Sequence, residues 1–185
     1  MTLNDRSSLL SLLRSRRSGR PREMVAPGPS AAELEQMLTI AARTPDHGKL
    51  FPWRFVTVGS DQREALAALL RQALLEEQPD ALAAKAEKAD EFARQGSALV
   101  VLISAPVPGH KVPEWEQYLS CGAAGMNLLH AAHALGYVAC WITGWEAYSE
   151  TVRAAFCAPG ERIAGFIFIG TPGRALEERP RAPLA

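Results

Sequence analysis

Five arginines fall within nine positions of "LLRSRRSGRPR", residues 12–22: Arg14, Arg16, Arg17, Arg20 and Arg22. A guanidinium stays charged at every physiological pH and presents a planar fork of donors that can meet phosphate oxygens two at a time. Ser18 adds a hydroxyl, and Gly19 a turn whose backbone amides can face an anion. Three roles fit such a stretch: a grip on a polynucleotide, a site for one small phosphorylated molecule, or a solvated surface turn. The first is disfavoured. The chain carries 20 Lys and Arg against 20 Asp and Glu, a formal net charge of zero, whereas nucleic-acid affinity comes mostly from excess cations. No nucleic-acid partner is expected. The other two roles stay open on these residues alone. A second arginine group in the tail, Arg174, Arg179 and Arg181, could complete a small-anion site. Neither GxxxxGK[ST] nor GxGxxG occurs, so P-loop and Rossmann binding are not indicated.

The remaining reactive side chains give little catalytic chemistry. His130 and His133 lie three apart and lack acidic or cysteine partners at ligand spacing; they read as buried or half-buried helix histidines, and no metal is expected. His47, in "RTPDHGKLFP", is either a turn residue or a functional loop group beside Asp46 and Gly48. Cys121, in "SCG" near a helix start, has the setting of a lowered thiol pKa. It has no evident His and Asn or Asp partners, and small-residue packing explains it better. There is no GxSxG elbow. No residue is assigned as a catalytic acid, base or nucleophile.

The elements that must carry these residues follow from pattern. A first helix starts near Asn4 or Asp5, carries Leu9, Leu10 and Leu13 on one face, and frays at "SGRP". Ser30 and Glu33 form a capping box for a second helix that ends before Pro45. "WRFVTV" is a β-rich run, and residues 61–95 read as two helices broken near Pro79. "ALVVLIS" is apolar throughout, as in a strand covered on both faces. Residues 114–136 form the longest and most buried helix. "YVACWIT", a helix over 149–157 and "IAGFIFIG" follow. Helices and strands alternating in this way suggest a parallel sheet, although periodicity does not fix strand order. In "SCGAAGMNLLHAAHALG" the small residues crowd the N-terminal half. Glycine inside a helix costs about 0.5–1 kcal/mol relative to alanine; close approach by another helix, or by the same helix of a second subunit, would offset that cost, and an ordinary buried helix is the alternative.

Composition sets the class. The chain has 185 residues, 48% of them hydrophobic and 22% charged, as in a soluble globular domain. Three scattered cysteines without a CxxC pair indicate reduced thiols rather than a disulfide framework. "MTLNDRSSLL" has no signal-peptide pattern, and the longest apolar run, "ALVVLISAPV", is too short to span a bilayer. A cytoplasmic location with no membrane partner is expected.

Several motifs, in order, resemble the FMN-dependent nitroreductase family. "RRSGR" after an N-terminal helix matches that family's "RRSxR" turn. "ARTPDHGKLFPWRFVTV" resembles its "APSxxNxQPW" loop and following strand. "EWEQYLSCGAAGMNLLHAAHALGYVACWITGW" is similar to its central helix and next strand, and "IAGFIFIGTPG" to its last core strand, "GxxxxGxP". "APDH…PW" with "HKVPxWEQ" points to the subgroup of small YdjA-like NAD(P)H nitroreductases. The resemblance covers nearly the whole chain. It implies a nitroreductase-like α+β fold over residues 1–185, with a mixed central sheet flanked by helices and an extended tail over 171–185. It also implies a homodimer with FMN at the subunit interface. Implied too is ping-pong chemistry in which NAD(P)H delivers hydride to flavin N5 and an acceptor such as a nitroaromatic or quinone is then reduced.

Residue by residue, the resemblance implies that Arg16 and Ser18 hold the FMN phosphate and ribityl chain, with Arg17 between them. It puts Arg20 near the pyrimidine edge of the ring, where a fixed cation favours the reduced anion. Arg43 and His47 fall in the loop that contacts the other subunit's flavin, and Trp141, Ile142 and Thr143 pass along the isoalloxazine. A tail arginine, chosen as Arg181 over Arg179 or Arg174, reaches the phosphate. The chain departs from the pattern at Lys49, Leu50 and Phe51, which replace polar loop residues, and at Pro21 and Arg22, where an aromatic is usual. The lost polar loop residues keep alive a flavin-binding storage or sensing protein with little turnover. A family member that dehalogenates, or that fragments its flavin, is a further enzymatic alternative.

Overall fold

The computed structural model describes residues 2–183, without the side chain of residue 82. Helix α1 spans Leu9–Ser15 and starts later than expected. Ser8 caps it, its hydroxyl accepting from the Ser11 amide at 3.0 Å, because the side chain of Asn4 is engaged elsewhere. A 3-10 turn at Pro21–Glu23 leads into the two-residue strand β1 (Met24–Val25). Helix α2 (Ala31–Ala41) carries the expected capping box: Ser30 Oγ accepts from the Glu33 amide, and Glu33 accepts from the Ser30 amide at 2.8 Å.

Strand β2 (Trp53–Val58) is followed by α3 (Arg63–Glu77) and α4 (Leu82–Arg94), with the break at Pro79. Then come β3 (Ala98–Ser104), α5 (Glu114–Ala134), β4 (Val138–Ile142), the short helices α6 (Trp145–Tyr148) and α7 (Glu150–Phe156), and β5 (Arg162–Pro172). Strand β5 therefore takes in Thr171 and Pro172, which pair with Val25 and Met24, and the irregular tail begins at Gly173.

Among the described residues every strand pairing is antiparallel: β2 with β3, β3 with β5, β4 with β5, and β1 with β5. The sheet is not parallel, as alternation alone suggested, nor mixed in its pairings. The connections supply the reason. A hairpin of two helices, α3 and α4, joins β2 to β3 and returns the chain to the end it left, so the strands run opposite ways. The single helix α5 joins β3 to β4, but β5 inserts between them and opposes both.

Side chains of β3 and β5 divide by the period of two, which a bulge with one extra residue at Ala164 resets in β5. Leu99, Val101, Ile103, Ile163, Phe166 and Phe168 meet α3, α4 and α7 on one face. Val100, Leu102, Ile167 and Ile169 meet α2 and α5 on the other. The helices cover both faces of the sheet, as the unbroken apolar run of β3 implied. No helix among the described residues is long and apolar enough to cross a membrane.

Trp141 on β4 accounts for one helix glycine. A Cβ at Gly125 of α5 would lie 2.5 Å from its ring, and one at Gly165 of β5 would lie 2.0 Å from its Nε1. The indole N–H donates to the Ala164 carbonyl at 3.0 Å. The close approach at Gly125 is thus made by side chains of the sheet rather than by another helix, while a Cβ at Gly122 would meet nothing within 4 Å. Gly125→Ala gains helix propensity but overpacks the indole, and should lower stability by about 1–3 kcal/mol; equilibrium urea unfolding checks this, and an unchanged midpoint would contradict it.

Candidate functional site: an arginine turn at the end of the central helix

After α1 ends at Ser15, the backbone is extended at Arg16 (φ −56°, ψ 125°) and at Arg20 (φ −83°, ψ 131°), with no turn or bend between them before the 3-10 turn at Pro21–Glu23. Gly19 is buried, and a Cβ there would lie 2.8 Å from Val138 Cγ2, so the missing side chain lets the turn sit on the start of β4. Successive side chains of an extended segment point to opposite sides. Arg16 and Ser18 share one side, with Arg16 Nη1 donating to Ser18 Oγ at 3.2 Å. Arg17 fastens the tail: its Nε donates to the Glu177 carbonyl at 2.6 Å, and Nη1 to the Ser18 carbonyl.

The tail returns to this turn. Arg181 Nη2 donates to the Arg16 carbonyl at 3.0 Å and to Glu178 at 2.8 Å. Burial, together with the neighbouring guanidinium groups of Arg181, Arg17 and Arg179, pushes the Arg16 pKa down, and only Glu178 pulls it the other way. No carboxylate among the described residues forms an ion pair with Arg16. Helix α5 adds His130 and His133 beneath the turn. His130 is half-buried, and burial and then Arg16 push its pKa down; its Nδ1 is buried without a partner among the described residues.

Arg20 lies at the outer edge of the turn, exposed, with Glu23 at 3.2 Å and Glu177 at 4.0 Å. Arg174 meets the same Glu23 oxygen at 3.2 Å. Trp141 and Ile142 are partly buried in β4, and Thr143 is exposed just beyond it. Arg16, Arg17, Ser18 and Arg181 are therefore brought together, with Arg20 at their margin.

Arg43 and His47 are not with them. Both are exposed in the loop between α2 and β2, and His47 Nδ1 lies 2.7 Å from Glu116 in the first turn of α5. Asp46 organises that loop by accepting from the Phe51 amide at 2.6 Å, and Thr44 binds Asn127. Glu116 and His133 are 17 residues apart on α5, about 25 Å along the helix axis. One chain thus carries the two groups of candidate residues toward opposite ends of its longest helix. Cys121 lies between them, fully buried, its thiol pushed up to about 11 by burial. It holds no thiolate at neutral pH, in keeping with a packing role.

With the geometry in place, the family follows. The sequence profile of the Nitroreductase family matches residues 13–171, and the chain belongs to that family. It is 34% identical over 164 residues to the Escherichia coli (strain K12) protein named "Putative NAD(P)H nitroreductase YdjA", covering 88% of this chain and 87% of that one. It is 35% identical, over the same length and coverage, to a Haemophilus influenzae protein named "Putative NAD(P)H nitroreductase". The fold superposes with a TM-score of 0.83 on a nitroreductase-like family protein from Bacillus cereus, at 21% identity over 96% of this chain and 92% of that one. It superposes with 0.71 on an FMN-bound nitroreductase from Bacteroides fragilis, at 21% identity over 94% of each chain.

Two residues of the turn's support escape the sequence motifs. Asn4 reads in sequence as a helix cap, and His133 as a buried helix histidine. The structure joins both to Arg17. His133 Nε2 lies 3.1 Å from the Arg17 carbonyl and Nδ1 lies 2.6 Å from the Leu129 carbonyl. Two carbonyls favour the imidazolium, but burial, and then Arg16 and His130, outweigh them and push the pKa down to about 4. The folded state thus resists a proton that the unfolded chain accepts below its ordinary value of 6.5. This group's share of stability is complete above pH 6.5 and is lost as pH falls toward 4, amounting to about 3 kcal/mol over that window. Urea unfolding of the apoprotein between pH 7 and pH 4 should therefore show a flatter pH dependence for His133→Leu than for the wild type; parallel curves would contradict it.

Proposed function

We propose that the protein is an FMN-dependent oxidoreductase of the NAD(P)H nitroreductase type, acting as a homodimer with FMN at the subunit interface. The observation that carries this reading is Arg16: a half-buried guanidinium crowded by other arginines, with no ion-paired carboxylate among the described residues. A dianionic phosphate supplies the missing charge, and the donors present suit it. Arg16, Ser18 and Arg181 can meet phosphate oxygens through charged or hydroxyl hydrogen bonds. Arg17 secures the tail segment that delivers Arg181.

Arg20, at the edge of the turn, is the cation for the pyrimidine edge of the flavin; releasing Glu23 to Arg174, which already contacts it, would leave Arg20 free for this. Trp141, Ile142 and Thr143 border the ring. Bound FMN would supply hydride chemistry, taking it from NAD(P)H and reducing an acceptor such as a nitroaromatic or quinone. The chain's own part is to bind, orient and set the local charge.

The homodimer is supported by the separation along α5. A two-fold axis that crosses two antiparallel copies of α5 would bring Arg43 and His47 of each chain to the arginine turn of the other. The outward face of α5 suits such a contact. Trp115 is 67% exposed and Leu119 54%; Gly122 and Met126 continue the same stripe at helical spacing. Phe51, 65% exposed, extends the apolar surface from the loop that carries His47.

Purified protein should be yellow or should bind added FMN, and should bleach when NADH or NADPH is added without oxygen. A colourless protein that ignores FMN would overturn the proposal, and a yellow one that does not bleach would favour flavin storage or sensing. Arg16→Ala should weaken FMN binding by about 1.5–3 kcal/mol, the scale of a hydrogen bond to a charged group. Unchanged affinity in a fluorescence titration would show that the phosphate lies elsewhere.

A further inference from the structure

We propose that Asn4 is a positioning residue that fixes the Arg17 peptide and so aims Arg16 and Ser18 at a single anion; this rests on the phosphate site proposed above. The Arg17 backbone is held on both of its polar groups. Its N–H donates to Asn4 Oδ1 at 2.7 Å, and its carbonyl accepts from Asn4 Nδ2 at 2.9 Å. One side-chain amide thereby pairs with the residue as a neighbouring strand would. His133, more than a hundred positions away in sequence, approaches the same carbonyl at 3.1 Å from α5.

Asn4 is itself held in place. Its own amide donates to the Ser15 carbonyl at 3.0 Å, the next amide, of Asp5, donates to Ser15 Oγ at 2.8 Å, and Ser15 Oγ donates back into α1 at the Ser11 carbonyl. Its φ of 53° lies in the left-handed region that asparagine tolerates better than most residues. The N-terminal segment is thus folded back over the end of α1, where it presents one amide to one peptide unit.

The consequence follows from alternation along extended backbone. With the Arg17 peptide fixed, Arg17 points to the tail, while the residues on either side of it, Arg16 and Ser18, must share the opposite side. Without the clamp, the segment between α1 and Gly19 has no strand partner to set its rotation. The two groups would then have to be ordered at the moment of binding, at a cost in affinity. A residue that only stabilises the fold would weaken all flavin binding alike; the clamp acts on the phosphate end.

The test measures FMN and riboflavin dissociation constants on the full chain by flavin fluorescence. Asn4→Ala should weaken FMN by about tenfold, the worth of one well-placed hydrogen bond, and leave riboflavin within about twofold. Arg16→Ala should lose less FMN affinity in the Asn4→Ala background than in the wild type, because an unaimed guanidinium has less to lose. Ser8→Ala, which removes the α1 cap without touching Arg17, should leave the FMN-to-riboflavin ratio unchanged. If Asn4→Ala does not fold, Asn4→Asp keeps the acceptor for the Arg17 N–H, removes the donor to its carbonyl, and should move the ratio in the same direction by less. Equal losses for both flavins, or a ratio unmoved by either Asn4 variant while Arg16→Ala lowers it, would overturn the positioning role and leave the phosphate site standing. A ratio unmoved by Arg16→Ala would overturn the phosphate site and the clamp with it.

Discussion

Crowding Arg16 against Arg17, Arg179 and Arg181 in a half-buried turn is unfavourable in the free chain, and much of the surrounding structure is arranged to hold it there. Like charges at short range repel, and loss of water strengthens the repulsion. The chain nevertheless holds them together: Arg17 ties down the backbone at Glu177, Arg181 reaches the Arg16 carbonyl, and Gly19 seats the turn on Val138. On the proposed reading, a phosphate entering this turn would remove the repulsion and add charged hydrogen bonds. The cost of holding these arginines together would then be turned to selectivity for an anion.

The remaining candidate groups stand far away because the His47 loop meets the first turn of α5 and the arginine turn meets its last. Helix α5 is buried along most of its length, anchored by Gly125 against Trp141 and by Leu128 and Leu129 in the core. Its 21 residues run as one continuous helix, with the His47 loop at one end and the arginine turn at the other. In the proposed homodimer a second copy would bring the complementary groups together, and the exposed Trp115 and Leu119 lie on the helix face that would meet it.

Most helices and strands were legible in the sequence because each carried its own signal: the Ser30 and Glu33 box, the break at Pro79, the unbroken apolar run of β3. Strand direction was not, because it depends on how many helices separate two strands and on the insertion of β5, which no local period records. At the candidate site, the motif marked the arginine segment, and Arg181, chosen from the family resemblance, lies against the Arg16 carbonyl. It missed Asn4, whose cap-like character masked a contact thirteen residues away, and it read His133 as core packing without its link to Arg17. The sequence also gave no hint that Arg17 would be turned to the tail while its two neighbours face together. Long-range contacts to backbone atoms leave almost no trace in residue type.

The central claim is that this turn is a phosphate site rather than a solvated basic patch. Titrating the unaltered protein with FMN and with riboflavin, which share the ring and differ at the phosphate, tests it most directly. Two or more charged hydrogen bonds to the phosphate predict that FMN binds at least about a hundredfold more tightly at low salt, with the preference shrinking as salt screens the turn. Equal affinity for the two flavins would contradict the account.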